Sequence, residues 1–159
     1  GARINHIRQE LACRQIIAAG VEPPTSMPIR YSAHAEIFDP EPAYADILDH
    51  VRRHAGHFDA VLAHDNIAAL VIRALTEHGC RVPEDVAVIG AGQTMLASYN
   101  SLPITSVCTH DDWAGTMAFE LLLDRDEGRS GRRFRQLVSQ TTLVIRQTTR
   151  GFVPPAARR

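Results

Sequence analysis

Two pairs of polar or flexible residues follow apolar segments in the centre of the chain, and these residues could bind a small molecule. His64 and Asp65 come directly after one apolar segment, and Gly92 and Gln93 come directly after another. A carboxylate accepts hydrogen bonds, a carboxamide both donates and accepts them, and an imidazole changes charge near neutral pH. We therefore treat the four positions as candidates for ligand recognition.

The stretch that contains them predicts a strand–helix–strand unit. Nearly continuous apolar runs over Ala60–Ala63 and Val86–Ile89 are typical of parallel strands covered by helices on both faces. The helix between them ends at Gly79, and ligands of open parallel sheets bind at the carboxyl ends of the strands. The helix N-terminus also offers unpaired backbone N–H groups. Alternatively, Asp65 is only the N-cap of this helix, and a neighbouring backbone group holds His64.

Other parts of the chain predict further elements of an α/β fold with a mostly parallel sheet and flanking helices. Helical periodicity covers Arg3 to Ala19 and a segment containing Tyr44, Ile47 and Val51. A short strand is expected over Ile104–Cys108. The following helix carries regularly spaced apolar residues, and a last strand is expected over Thr141–Thr149.

The composition is that of an ordinary globular domain. The chain has 159 residues and a net charge of −1, so it fits one domain and shows no overall electrostatic footprint for nucleic acid. No segment is apolar for long enough to cross a membrane, and the first residues lack the apolar core of a signal peptide. Three cysteines without metal-site spacing indicate reduced thiols and a cytoplasmic location.

Several kinds of chemistry are not indicated by any motif. The sequence has no nucleophile elbow, no Walker loop and no G-x-G-x-x-G, so we predict no catalytic residue and no nucleotide cofactor. His50, His54 and His57 are spaced i, i+4 and i+7. That spacing could hold a metal ion, but a solvated helix face is the preferred interpretation, and we predict no metal and no cofactor.

The order of these motifs resembles the effector-binding domain of the lactose-repressor/galactose-repressor (LacI/GalR) family of transcription regulators. The resemblance is carried by Ala63-His64-Asp65, by the RVPEDVAVIG run over residues 81–90, and by LPITSV over residues 102–107. The closing segment TLVIRQTT over residues 142–149 is also similar to the family pattern.

The resemblance implies a lobe of the type I periplasmic-binding-protein kind. Residues 1–150 would form the C-terminal part of an effector-binding domain. The helix over residues 111–127 would pack on the other lobe or on a partner, and residues 151–159 would form a flexible tail. The implied partners are a small-molecule effector (a sugar or related metabolite), operator DNA through a helix-turn-helix domain outside this chain, and a second copy in a homodimer. The alternatives are a periplasmic solute-binding protein, or an enzyme with His64 and Asp65 as its acid/base pair.

The resemblance also suggests two more site residues. Arg8 matches the arginine of the family's R-x-x-G-F motif, although Leu11 and Ala12 depart from it and Arg3 is a competing match. Phe38 lies where the family often has an aromatic residue that stacks against the ligand. An alternative role for Phe38 is packing at the start of the next helix. His64 replaces a common asparagine. Gln93 stands in a segment where many members have an aspartate that binds sugar hydroxyls, which puts a simple sugar in doubt.

Overall fold

The computed structural model describes residues 10, 13–20, 25, 27, 40–128 and 137–149. The chain divides into two compact units, Gly1–Arg30 and Tyr31–Arg159. In the first unit, residues 10 and 13–18 are helical, which agrees with the helix predicted from the periodicity. The second unit contains α1 (Glu41–His54), β1 (Ala60–Leu62), α2 (Asp65–Glu77), β2 (Ala87–Ala91), α3 (Met95–Tyr99), β3 (Thr105–Cys108), α4 (Asp111–Asp126) and β4 (Thr142–Val144).

The four strands form one sheet in the order β1-β2-β3-β4. The pairs β1–β2 and β2–β3 are parallel, and β3–β4 is antiparallel. The predicted fold class, an α/β fold with a mostly parallel sheet, is therefore confirmed. Parallel pairing brings the carboxyl ends of β1, β2 and β3 to one edge of the sheet.

The last strand is shorter than the predicted Thr141–Thr149 segment. Beyond Val144 the chain leaves the strand ladder, and the buried side chain of Thr148 forms its own hydrogen bonds. The Thr148 hydroxyl donates to the Val88 carbonyl at 2.6 Å and accepts from the Thr105 amide at 2.9 Å. The Thr148 carbonyl also accepts a 2.9 Å bond from the Val88 amide, so the backbone and side chain of Thr148 together bond to β2 and β3.

Helices α1 and α2 pack against each other and carry much of the core. Tyr44 and Ile47 of α1 are buried, as the periodicity predicted. The Tyr44 hydroxyl donates to the Glu77 carboxylate of α2, and the Arg73 guanidinium stands 4.3 Å from the centre of the Tyr44 ring. Burial, followed by the bond to Glu77, raises the pKa of Tyr44. These contacts therefore join α1 to α2.

The buried face of α2 is rotated relative to the sequence prediction. Ile67 and Leu70, expected in the core, are half-exposed, whereas Ala68 and Ile72 are buried. The periodicity considered only apolar residues, but Asp65 is also fully buried. Because residues three and four apart share a helix face, a buried Asp65 brings positions 68 and 72 inward.

Helix α4 has no buried residue. Phe119 and Leu122 are 61% and 65% exposed, and Trp113 is 41% exposed. Its apolar residues are therefore not covered by the described part of the chain. None of the described helices combines the length and apolar character that a bilayer crossing requires.

Candidate functional site

The carboxyl ends of β1 and β2 bring His64, Gly92 and Gln93 to one edge of the sheet; we call these three residues the rim. The His64 imidazole lies against the Gly92 backbone, because a Cβ added at Gly92 would stand 3.1 Å from His64 Nε2. Gln93 is the next residue. His64 and Gln93 thus lie at the same edge of the sheet, as the strand–helix–strand prediction requires.

A buried carboxylate holds the loop that carries Gln93. Asp65 is fully buried, and its Oδ2 accepts a 2.6 Å hydrogen bond from the Thr94 amide. Its Oδ1 accepts a 2.7 Å bond from the Ser106 hydroxyl, and the Ser106 oxygen accepts a 3.1 Å bond from the Gln93 amide. One carboxylate therefore connects the start of α2, the loop after β2 and strand β3. A buried charge is tolerated when hydrogen bonds replace its hydration, as they do here.

Gly90 makes room for this carboxylate. An added Cβ at Gly90 would lie 2.1 Å from Asp65 Oδ1 and 3.2 Å from Ile104 Cγ2. Both neighbours are fully buried, so neither has open space to move into. The glycine is therefore required by the close approach of the carboxylate to strand β2.

The turn after β2 places Gln93 in an uncommon backbone conformation. Gly92 has φ +114° and Gln93 has φ +52°, a left-handed conformation that is rare for residues other than glycine, asparagine and aspartate. The Gly92 amide donates to the Val107 carbonyl at 3.0 Å. Backbone contacts on both sides of Gln93 thus hold this conformation, and such strained positions often lie at functional sites.

Arg146 approaches the rim from the far end of the chain. Its Nη1 donates to the Ile104 carbonyl at 2.8 Å and to Gln93 Oε1 at 3.3 Å. Its Nη2 donates to the Ser98 hydroxyl at 3.1 Å. The guanidinium therefore links α3, the segment before β3 and the Gln93 side chain.

Helix α2 begins at the rim without a side-chain cap. His64 occupies the N-cap position in extended conformation and forms no side-chain cap hydrogen bond. The interpretation of Asp65 as the N-cap is therefore wrong: Asp65 is the first helical residue, and its carboxylate points into the core. Backbone N–H groups in the first turn have no intrahelical partner and favour electron-rich ligand atoms.

One buried polar atom near the rim is unsatisfied. Thr94 Oγ1 has no hydrogen-bond partner among the described residues, although Asp65 and the Thr94 amide are bonded to each other. Buried hydroxyls in proteins are normally hydrogen-bonded, to protein or to water. The Thr94 hydroxyl, which lies beside the Gln93 loop, can therefore still form a hydrogen bond that the described residues do not supply.

The structure brings together three of the five predicted site residues. His64 and Gln93 are at the rim, and Asp65 lies beneath it. Arg8 and Phe38 lie outside the described residues, so their predicted roles stay predictions. The sequence analysis did not single out Ser106 or Arg146 for this site, although both fall in segments that carried the family resemblance.

A separate surface cavity lies away from the rim. An open groove of about 690 Å³ runs between α2 and α3, and neither His64 nor Gln93 lines it. The rim is instead an open polar surface at the sheet edge. We place the candidate site at the rim because convergent polar groups, a left-handed turn and an uncapped helix occur there together.

The described residues contain no group of three or more histidine, cysteine, aspartate or glutamate side chains arranged to hold a metal ion. The rings of His50 and His54 lie 4.5 Å apart, and those of His54 and His57 lie 6.3 Å apart. Burial, together with the charges of His54 and Arg53, lowers the pKa of His50.

An α/β lobe with polar residues at the carboxyl edge of a parallel sheet is typical of ligand-binding domains. The profile of the periplasmic binding protein-like domain matches residues 6–149. The chain therefore belongs to the periplasmic binding protein-like domain family.

Its similar proteins are transcription regulators. The regulator CelR of Thermobifida fusca is 36% identical over 107 residues, which are 67% of this chain and 30% of CelR. The ribose operon repressor of Haemophilus influenzae is 32% identical over 84 residues, 53% of this chain and 25% of that protein. The chain thus spans a third or less of these two relatives. The resemblance to LacI-type regulators that the sequence predicted is confirmed.

Solved structures show the same fold. A CelR–cellobiose complex has a TM-score of 0.69 at 31% identity and covers 85% of this chain and 39% of that one. A LacI family transcriptional regulator from Arthrobacter sp. FB24 in complex with lactose has a TM-score of 0.70 at 26% identity, covering 86% and 49%. Both neighbours carry a sugar ligand.

Proposed function

We propose that this chain is the effector-sensing part of a LacI-type transcription regulator. A small molecule bound at the rim would change the affinity of a helix-turn-helix domain, outside this chain, for operator DNA. The observation that carries the proposal is that His64 lies against Gly92 while the buried Asp65–Ser106 network holds the Gln93 backbone at the same edge of the sheet. The ligand shifts the equilibrium between two forms of the regulator only by its different affinity for each.

The proposed effector is a sugar or related polar metabolite. Support comes from the cellobiose and lactose complexes of similar proteins and from the polar rim. The rim supplies one wall of the site. The other wall would come from the remaining part of the effector domain, since relatives such as CelR are more than three times as long as the matched segment.

The same support favours a regulator over the two alternatives. CelR and the ribose operon repressor are transcription regulators rather than solute-binding proteins or enzymes. We propose that the protein binds its ligand without converting it. We also propose a cytoplasmic location, which the three free cysteines support.

The exposed apolar residues suggest two further contacts. We assign α4, with Phe119 and Leu122, to the other lobe of the effector domain. We assign a second surface, formed by Met95 and Tyr99 of α3 beside the groove along α2, to a second copy of the chain. Met95 and Tyr99 are 77% and 80% exposed, and large apolar patches usually mark interaction surfaces.

Light scattering on a matched pair of variants tests the dimer surface. Tyr99→Ser should shift the protein towards the monomer, because it removes an aromatic residue from the proposed interface. Phe119→Ser, on α4, should leave the dimer intact. A monomeric wild type, or equal behaviour of the two variants, would contradict this assignment.

A thermal-shift screen tests the proposed effector site. The full chain is heated with sugars, purines and small carboxylic acids, and a ligand selective for the folded state raises the melting temperature. His64→Ala should weaken the best ligand by about tenfold, since a hydrogen bond of about 1.4 kcal/mol is lost.

The matched control for this screen is His78→Ala. His78 is an exposed histidine at the other end of the same helix, so the substitution should leave ligand affinity unchanged. A screen in which no compound binds the wild type, or in which both variants lose affinity equally, would overturn the proposed site.

A further inference from the structure

The Arg146 guanidinium fixes the orientation of the Gln93 carboxamide, and therefore which of its ends can contact a ligand. Arg146 Nη1 lies 3.3 Å from Gln93 Oε1. A guanidinium has five donors and no acceptor, so the amide atom that faces it must be the oxygen. The Gln93 side chain cannot turn its NH₂ group towards Arg146 without losing this contact.

Arg146 is itself held from two other sides. Its Nη1 donates to the Ile104 carbonyl at 2.8 Å, and its Nη2 donates to the Ser98 hydroxyl at 3.1 Å. The Arg146 amide also donates to Thr105 Oγ1 at 2.8 Å. Because these contacts come from α3 and from the segment at the start of β3, the chain itself holds the guanidinium in place without a ligand.

The backbone adds a second restraint on Gln93. Its amide donates to Ser106, and its left-handed conformation is held between Gly92 and Thr94. With the backbone fixed and Oε1 turned towards Arg146, the group that Gln93 presents on the side away from the guanidinium is its NH₂, a donor. The uncapped first turn of α2, which also presents donors, begins beside it.

We infer that Arg146 is a positioning residue that turns Gln93 into a hydrogen-bond donor, so that the rim selects ligands carrying a carboxylate or carbonyl oxygen over ligands that must donate a hydroxyl there. The inference rests on the proposed function, since it names the ligand class of that same site. The expected effectors are sugar acids or related oxo-metabolites, and the matching neutral sugars bind more weakly.

The test compares matched neutral and acidic ligands by calorimetry on the full chain. The pairs are glucose with glucuronate, cellobiose with cellobionate and lactose with lactobionate. In at least one pair the acid should bind about tenfold more tightly than the neutral sugar, the effect of one charge-assisted hydrogen bond. Gln93→Glu, which replaces the donor by an acceptor of equal size, should abolish or reverse this ratio.

Two controls separate positioning from general loss of structure. Gln147→Glu makes the same charge change on an exposed side chain next to Arg146 and should keep the ratio. Arg146→Lys frees the Gln93 oxygen and should reduce the acid-to-neutral ratio by a factor of three or more, whereas the exposed Arg125→Lys should not. A purely structural role of Arg146 would lower both affinities together and leave the ratio unchanged.

The outcomes distinguish failure of the proposed function from failure of this inference alone. If neither these pairs nor any compound of the thermal-shift screen binds the wild type, the proposed function fails and the inference fails with it. If the screen finds a ligand but no pair binds, the inference alone is overturned. If ligands bind but the neutral sugar is preferred, or if Gln93→Glu keeps the wild-type ratio, the inference alone is overturned. Should Arg146→Lys fail to fold, the ratio in Gln93→Glu remains the deciding measurement.

Discussion

The rim and helix α4 differ in where their supporting contacts come from. The residues that hold the rim lie within the chain. Asp65 and Ser106 bond to each other, and Asp65, Ser106 and Arg146 each bond to the loop after β2. Helix α4 is equally regular but has no buried residue, and Phe119 and Leu122 are mostly exposed.

The difference shows which part of the function this chain specifies on its own. The described residues hold the Gln93 loop by themselves, so we expect its geometry not to depend on a partner. Helix α4 gains little from the described residues, and its apolar side chains become stabilising only when something covers them. Substitutions should therefore act strongly at the rim and weakly in α4 when this chain is measured alone.

Gly90→Ala should have the largest effect among substitutions in the network that supports the rim. The new Cβ would stand 2.1 Å from Asp65 Oδ1, so the carboxylate must leave its bonds to Thr94 and Ser106. We expect the free energy of unfolding to fall by about 3 kcal/mol, measured by urea denaturation.

Gly115→Ala is the matched control in α4. An added Cβ there meets nothing within 4 Å. Alanine has a higher helix propensity than glycine, so the variant should be stabilised by about 0.5 to 1 kcal/mol. If both alanine variants changed stability by the same amount, the contrast between the two regions would be refuted.

Asp65→Ala should have the next largest effect. It leaves the Thr94 amide and the Ser106 hydroxyl without their acceptor, at a cost of about 2 kcal/mol in the free energy of unfolding. Asp65→Asn should lose about half as much, because its oxygen still accepts from Thr94 while its NH₂ group donates to the Ser106 oxygen. An Asn variant less stable than the Ala variant would show that the network is not organised by these two acceptor positions.

Leu122→Ala in α4 should change the stability of this chain by less than about 0.5 kcal/mol, since Leu122 is 65% exposed. The same substitution at the fully buried Leu75 of α2 should cost about 2 to 5 kcal/mol. Denaturation of the two variants side by side measures both. A large loss at Leu122 would mean that α4 is already covered in this chain.

The smallest effect concerns pH and lies outside both regions. Burial and the neighbouring charges lower the pKa of His50 in the folded chain below its ordinary value of 6.5. Its contribution to stability is therefore present above pH 6.5 and is lost as the pH falls towards the lower folded pKa. His50→Gln should flatten the stability profile below pH 6.5, and an unchanged profile would exclude His50 as its source.

The sequence predicted the elements better than their contacts. The apolar runs before His64 and Gly92 identified β1 and β2, and the parallel arrangement then placed His64 and Gln93 at one edge. The apolar periodicity predicted the wrong buried face for α2. A pattern of apolar residues carries no information on the burial of Asp65. The burial became evident only from its hydrogen bonds to Thr94 and Ser106.

The contact between Arg146 and Gln93 could not be predicted from spacing. The two residues are 53 positions apart, and Arg146 lies just after the short strand β4. The regular spacing of apolar residues in α4 correctly indicated a helix. It did not say what covers them, because that depends on contacts beyond the described residues.

The most direct test of the central claim is chemical-shift mapping by NMR. The isotopically labelled full chain is titrated with the compound that raises its melting temperature most in the screen. Our account predicts that the amide signals of His64 and Gly92 and the side-chain amide of Gln93 move together and saturate, while those of α4 stay in place. Shifts confined to the groove between α2 and α3, with the Gln93 side chain unchanged, would contradict it.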